Sequence, residues 1–418
     1  MTRRGSGEVL REPAFGRYWT AATISALGSA ATTVALPVLV VRQLSASNFE
    51  VGMVNAAQLL PYPALGLIAG VFVDRWRRQP LLVWTGFGQA VLLALIPVCW
   101  LLGWLRLPLL IVILIGFGCL NVFAVAATQS FLPTVVPRSQ LFRANARLDQ
   151  SGAMAQTLGP AAGGALVAAL GAPLLLLIDA ASYVINAVLI ARIKIDEPEP
   201  VRREGSVGLR AEIATGMRWL YRHRVLGPMS ISTHVWFVGN NAMLTVLTPF
   251  ALRRLGLSAL VFGLLFAGLA VATLVGALLA ARAGELLGVG PTVVACRIGY
   301  AVAIALMAVI AGTADLGSAT VGLLFVAVGL WGLISGIENP NEMGYRQTVT
   351  PPEFLGRVNA TARSVNRTCA VFGALLGGAV SGAYGYRPAF VISTAFLVAA
   401  SVIAIATPLR SARASDAG

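Results

Sequence analysis

A handful of carboxylates stand where carboxylates are costly. Asp74, Asp149, Asp179 and Glu338 lie inside or at the ends of long apolar runs, in a chain with only 11% charged residues. An unpaired charge at mid-bilayer costs roughly 2.5–3.5 kcal/mol or more. Such an acid therefore serves as one half of an ion pair between helices, or as a group that takes up and releases a proton. Asp149, Asp179 and Glu338 are the proton-carrier candidates, with Glu342 close to the last of them. Asp179 has a second reading, as a structural acceptor for Ser182 or a neighbouring helix. Other chemistries lack their parts. His223 and His234 are too few and too far apart for a metal site, and Cys99, Cys119, Cys296 and Cys369 form no CxxC pair. No GxxxxGK[ST] loop and no Ser/His/Asp constellation occurs. We expect no cofactor, no metal and no enzymatic activity.

Asp74 belongs to the charged stretch Gly70–Gln79, GVFVDRWRRQ, between two runs (51–73 and 81–105) with no charged residue. Each run is long enough to cross a hydrocarbon layer of about 30 Å at about 1.5 Å per helical residue. The stretch is thus a tight turn between two spans, and Arg75, Arg77 and Arg78 place it in the cytoplasm.

Along the chain lie twelve apolar segments, near 18–41, 51–73, 81–103, 107–130, 145–170, 173–192, 227–252, 259–281, 291–311, 319–337, 358–383 and 388–408. The class is an all-α membrane protein. Its organisation is an N-terminal six-helix bundle (1–192), a cytoplasmic linker with an amphipathic helix (193–224) and a C-terminal six-helix bundle (225–418). The net charge of +14 does not indicate nucleic acid, because the arginines cluster in short loops between apolar runs. Counted from a cytoplasmic N-terminus, eighteen basic residues fall on inward segments up to the linker and five on all outward turns. Both termini are expected in the cytoplasm of a multi-pass cell-membrane protein.

The chain repeats itself. At an offset of 214, Arg143, Asn145 and Ala146 fall on Arg357, Asn359 and Ala360, and Gly159, Gly163 and Gly164 on Gly373, Gly377 and Gly378. Gly171 falls on Gly385. Parallel six-helix halves around a central site are a transporter architecture. Gly70-x-x-x-Asp74-Arg75-x-x-Arg78 resembles the signature of the major facilitator superfamily. Arg77 in place of the usual glycine is similar to the macrolide-efflux and enterobactin-exporter branch. The resemblance implies twelve helices in two halves related by pseudo-twofold symmetry. It also implies that the loop is a gate latch, whose acid meets the start of the eleventh helix when the protein faces outward.

Arg363 lies about one turn inside the eleventh segment, and Asp74 with Arg363 is the preferred pair, Arg357 the alternate. The repeat aligns Asp149 with Arg363, and Gly276-x-x-x-Ala280, followed by Arg282, with Gly70-x-x-x-Asp74. A second latch with exchanged charges, Asp149 to Arg282, stands against local pairing of Asp149 with Arg143 or Arg147.

Gly159-Pro160-Ala-Ala-Gly163-Gly164 makes a bent, closely packed helix. It also resembles the antiporter motif of drug:proton exporters, although segment four lacks their usual arginine. Polar or aromatic residues at suitable depth for a substrate path are Gln58, Asn121, Gln156, His234, Trp236, Asn240, Asn241 and Trp331, each with the alternative of bridging helices. Apolar surroundings suit a small hydrophobic or amphipathic compound. The expected activity is export of such a compound by proton antiport, the alternative a proton-coupled importer or facilitator. The expected partners are the small molecule, protons and the bilayer, with the chain a monomer and no nucleic acid bound.

Overall fold

The computed structural model describes residues 12–195, 197, 209–313 and 317–412. The side chains of 67, 68, 70, 71, 74, 75, 209–213, 352 and 353 lie outside that description. The expected latch residues Gly70, Asp74 and Arg75 are among them. The described residues form helices and no strand.

The first half holds α1 (Pro13–Val38, continued by a wide turn Leu39–Gln43), α2 (Asn48–Leu59), α3 (Pro61–Arg75), α4 (Arg78–Leu101), α5 (Leu107–Val135), α6 (Leu141–Leu170) and α7 (Ala172–Ala191). The second holds α8 (Leu209–Arg222), α9 (Leu226–Pro249, continued by Phe250–Arg254), α10 (Ala259–Leu287), α11 (Val289–Ala311), α12 (Ser318–Val349), α13 (Pro352–Tyr384) and α14 (Tyr386–Ala406). Ten of these stretches are long and apolar enough to cross a membrane. The second span is made of α2 and α3 together, which meet at Leu60 ahead of Pro61. The eleventh is α13, whose first turns carry Arg357, Arg363 and Arg367. With these two the fold has twelve spans.

Equivalent helices pack alike in the two halves. α1 packs on α6 and α7, as α9 does on α13 and α14; α4 packs on α5 and α7, as α11 does on α12 and α14. The repeated glycines explain part of this. Gly159 and Gly163 leave no room for a Cβ against Ala30 and Ala31 of α1, and Gly373 and Gly377 leave none against Val238 and Ala242 of α9. Gly171 and Gly385 both turn the chain at φ near +85°, 85° and 87°, where side-chain-bearing residues are strained.

Contacts divide the chain into two compact units, 1–44 with 64–204 and 258–267, and 45–63 with 205–257 and 268–418. Each unit thus takes in a short stretch from the other half of the sequence. The reason is again close approach. A Cβ on Gly164 would stand 2.5 Å from the Ala259 carbonyl oxygen, and one on Gly378 would stand 2.9 Å from that of Asn48. Backbone-to-backbone packing at these points requires glycine.

Candidate functional site

The first unit lines its cavity with uncharged polar groups. Ser25 and Ser29 of α1, Thr85 and Gln89 of α4, Asn121 and Thr128 of α5, and Tyr183 and Asn186 of α7 line a cavity of about 230 Å³. Ser29 and Tyr183 share a hydrogen bond of 2.9 Å, and Gln89 Nε2 donates to Asn121 Oδ1 at 3.4 Å. Asp179, only 1% exposed, accepts from Thr32 at 2.6 Å and from Ser182 at 2.9 Å. Two hydroxyl donors supply hydrogen bonds that stand in for lost water.

Beside the charged turn, Glu197 takes on a role that its place in a polar linker does not announce. Its carboxylate accepts from the backbone N–H of Arg78 at 2.6 Å and of Gln79 at 3.1 Å, and lies 3.6 Å from the Arg78 guanidinium. An acid at a helix N-terminus satisfies orphan donors and the helix dipole together. Gln79 donates to the carbonyls of Ile190 and Ile193, so the turn is tied to the end of α7. Arg78, expected in the latch, is thus held by Glu197 of its own unit. Arg77 is exposed at the N-cap of α4.

The second unit is built around buried charge. Arg297 of α11, 1% exposed, lies 3.0 Å (Nε) from Glu338 Oε1 and 3.1 Å (Nη2) from Glu342 Oε2. The same Nη2 donates to Thr233 Oγ1 at 2.8 Å, and Thr233 in turn reaches both oxygens of Glu342. Arg346 holds the other oxygen of Glu342. Trp236 lies under the Arg297 guanidinium, 5.6 Å from ring centroid to Cζ. The two carboxylates are unequally served. Glu342 has two guanidinia and a hydroxyl, whereas the Arg297 contact to Glu338 Oε1 is close without hydrogen-bond alignment.

Arg297, Thr233 and Arg346 are not among the residues that motif and spacing single out, although Arg297 is a lone charge inside the apolar run 291–311. That charge is the available signal, because it demands a buried partner.

Other expected residues are placed as follows. His234 bridges Tyr221 Oη (2.8 Å) and Asn366 Oδ1 (2.6 Å), tying α8, α9 and α13. Asn240 is buried with its Oδ1 unpartnered, while Asn241 donates to the Phe237 carbonyl. Trp331 is buried, with its indole N–H unpartnered, as is that of Trp236. Gln58 turns back on the Val54 carbonyl at 3.4 Å, and Gln156 is exposed on α6. Pro160, Gly159, Gly163 and Gly164 are buried. Asp149, Arg282, Arg357 and Arg363 are exposed side chains of their respective helices.

A family model described as a transmembrane secretion effector matches residues 6–418. The chain is 26% identical over 412 residues to the multidrug efflux pump Tap of Mycobacterium tuberculosis, spanning 95% of this chain and 94% of that one. It is 26% identical over 377 residues to the enterobactin exporter EntS of Citrobacter koseri, spanning 88% and 85%. Among solved structures it is similar to the nucleoside transporter NupG, with a TM-score of 0.71 at 11% identity over 94% of this chain and 98% of that one. Identity that low speaks for the fold alone.

Proposed function

The chain belongs to the transmembrane secretion effector family of major facilitator transporters, and on that premise we propose that it exports a small hydrophobic or amphipathic compound in exchange for protons. The observation that carries the coupling is the buried Arg297–Glu338–Glu342–Arg346 cluster. A cluster of four charges inside an apolar bundle is expensive to bury, and no group of three or more metal-ligating side chains occurs among the described residues. Proton exchange at its least-served member, Glu338, gives that expense a use. Asp149 and Asp179 are weaker candidates, since one is exposed and the other is held by two hydroxyls.

Export is favoured over uptake by the packed Gly159–Gly164 motif and by relatives described as a multidrug efflux pump and an enterobactin exporter. The protein works as a monomer in the cell membrane with both termini in the cytoplasm. Substrate passes along Gln58, Asn121, Gln156, His234, Trp236, Asn240, Asn241 and Trp331. Asp74 meets Arg363, with Arg357 the alternate, when the inner side closes, and Asp149 meets Arg282 in the matching latch.

Inverted membrane vesicles test the proposal with a panel of fluorescent cationic and neutral dyes. Respiration should drive accumulation of at least one dye, an uncoupler should abolish it, and Glu338→Gln should remove the dependence on the proton gradient. Accumulation indifferent to the uncoupler would overturn proton exchange. For the latches, Asp149→Arg should abolish transport and the charge-reversed pair with Arg282→Asp should restore it.

A further inference from the structure

Helix α8 presents two faces with different chemistry. One is bound to its own unit. Gly216 approaches α13 so closely that a Cβ would stand 2.8 Å from that of Arg357, and Leu220 is fully buried. Tyr221 extends this face through its hydroxyl to His234 at 2.8 Å.

The other face carries Thr215, Arg218, Trp219, Arg222 and His223, spaced i, i+3, i+4, i+7 and i+8, so they share one side of the helix. With Phe354 of α13 they line a groove of about 390 Å³. Trp219 and Phe354 are stacked, 5.7 Å apart at 11°, and form an aromatic wall. Arg218 and Arg222 are exposed, and no acidic residue is among the described residues that line the groove. His223 Nδ1 accepts from the N–H groups of Val225 and Leu226. The ring proton therefore sits on Nε2, as a third donor.

We propose that this groove binds the phosphate headgroup of an anionic phospholipid of the cytoplasmic leaflet. Two guanidinia and an imidazole N–H answer a phosphate diester, since guanidinium forks match its oxygens. The stacked aromatic pair answers the glycerol and first acyl carbons, a part that a free phosphate lacks. Charge puts the groove at the right level. α8 runs into the start of α9 and lies on the start of α13, the ends that the arginine bias assigns to the inner face. Occupancy also has somewhere to act. The same helix holds His234 through Tyr221, and the neighbouring Thr233 touches Glu342 and Arg297. A lipid that steadies α8 steadies that contact with the buried charges. Lipid binding here requires only the membrane setting, whichever way the substrate moves.

Bromine-labelled lipids provide the test. A variant retaining Trp219 as its one tryptophan, the other seven being Phe, is reconstituted in phosphatidylcholine with a minor brominated component. Brominated phosphatidylglycerol should quench Trp219 more than the same fraction of brominated phosphatidylcholine. Arg218→Gln with Arg222→Gln should weaken the preference by roughly tenfold, the worth of one charge-assisted contact or more. Arg254→Gln, outside the groove, should leave it intact. Equal quenching by the two lipids, or a preference unchanged in the double variant, would overturn the proposal. So would a saturable shift of Trp219 emission on adding inorganic phosphate alone in detergent, which would make the ligand a soluble anion. Should the tryptophan-poor protein not fold, native mass spectrometry of the otherwise unmodified chain gives the same decision. Phosphatidylglycerol retained equally by parent and double variant sinks the assignment.

Discussion

The two halves share a packing plan and differ in what fills it. Aligning the first residues of α4 and α11 sets Arg297 opposite Gly86, and aligning those of α5 and α12 sets Glu338 and Glu342 opposite Ala127 and Phe131. Where the second half places guanidinium and carboxylate, the first has a glycine, an alanine and a phenyl ring. Beside that glycine, hydroxyls and amides line a neutral cavity. Duplication has preserved the backbone contacts, made by equivalent glycines, while the polar groups between the helices have diverged. Charge balance and helix packing are therefore separable features of this fold, and each can be perturbed alone.

Removing the central charge should have the largest effect. Arg297→Met leaves Glu338 without its ion pair and takes one of two from Glu342, at a cost of about 3–5 kcal/mol for a broken buried pair. Thermal unfolding in detergent should show it as a large drop in midpoint. Adding Glu338→Gln restores neutrality around the remaining Glu342–Arg346 pair and should recover much of the loss. In the first half, Gln89→Leu removes one long hydrogen bond and should cost about 1 kcal/mol or less. Comparable losses from Arg297→Met and Gln89→Leu would erase the contrast between the halves.

Packing should respond alike on both sides. Gly164→Val and Gly378→Val each force a side chain against backbone, and overpacking of this kind costs about 1–3 kcal/mol. Both variants should lose transport to a similar degree, measured as dye accumulation in inverted vesicles. A harmless Gly378→Val beside a damaging Gly164→Val would mean that the repeat is retained in sequence without being used alike.

Much of this plan is legible in the order of the residues alone. Uncharged runs mark the spans, and the Arg-x-Asn-Ala start with its trailing glycines marks the repeat, because close helix contacts and left-handed turns tolerate few residue types. Asp179, Glu338 and Glu342 stand out because acids are rare in such surroundings. Their partners do not, since a hydroxyl such as Thr32 or Thr233 looks like any other small residue in an apolar helix. Glu197 is hidden for another reason. It lies in a polar linker where acids are ordinary, and only folding brings it to the N-terminus of α4, more than a hundred residues earlier in sequence. The crossed contacts of Gly52 and Gly263 are equally unreadable, because glycine is common throughout the chain and its partners lie in the other half of the sequence.

Asp179 offers a finer measure of the first half. Asp179→Asn keeps an acceptor for one hydroxyl and turns a donor toward the other, so Thr32 or Ser182 loses its bond. The cost should be near 1 kcal/mol, with Thr32→Val similar and the two together less than additive, since they share one bond. Unfolding midpoints of the two single variants and the double would show it, and strict additivity would mean that Asp179 and Thr32 act separately.

The smallest effect concerns the junction of α8 with α9. His223 caps the start of α9 by accepting two backbone N–H groups, which only the neutral ring can do. Burial lowers its pKa from the ordinary 6.5. A base whose folded pKa is depressed contributes stability that is whole above the unfolded value and is lost as pH falls through the folded one. The second half should therefore weaken as pH drops below about 6.5. The ring is half-buried and still partly screened by water, so the change should stay below the roughly 1 kcal/mol of a good cap. His223→Asn retains an acceptor that does not titrate and should flatten this part of the profile. The first half, whose described residues include no histidine, should show no counterpart. A profile unchanged by His223→Asn would place the acid sensitivity elsewhere.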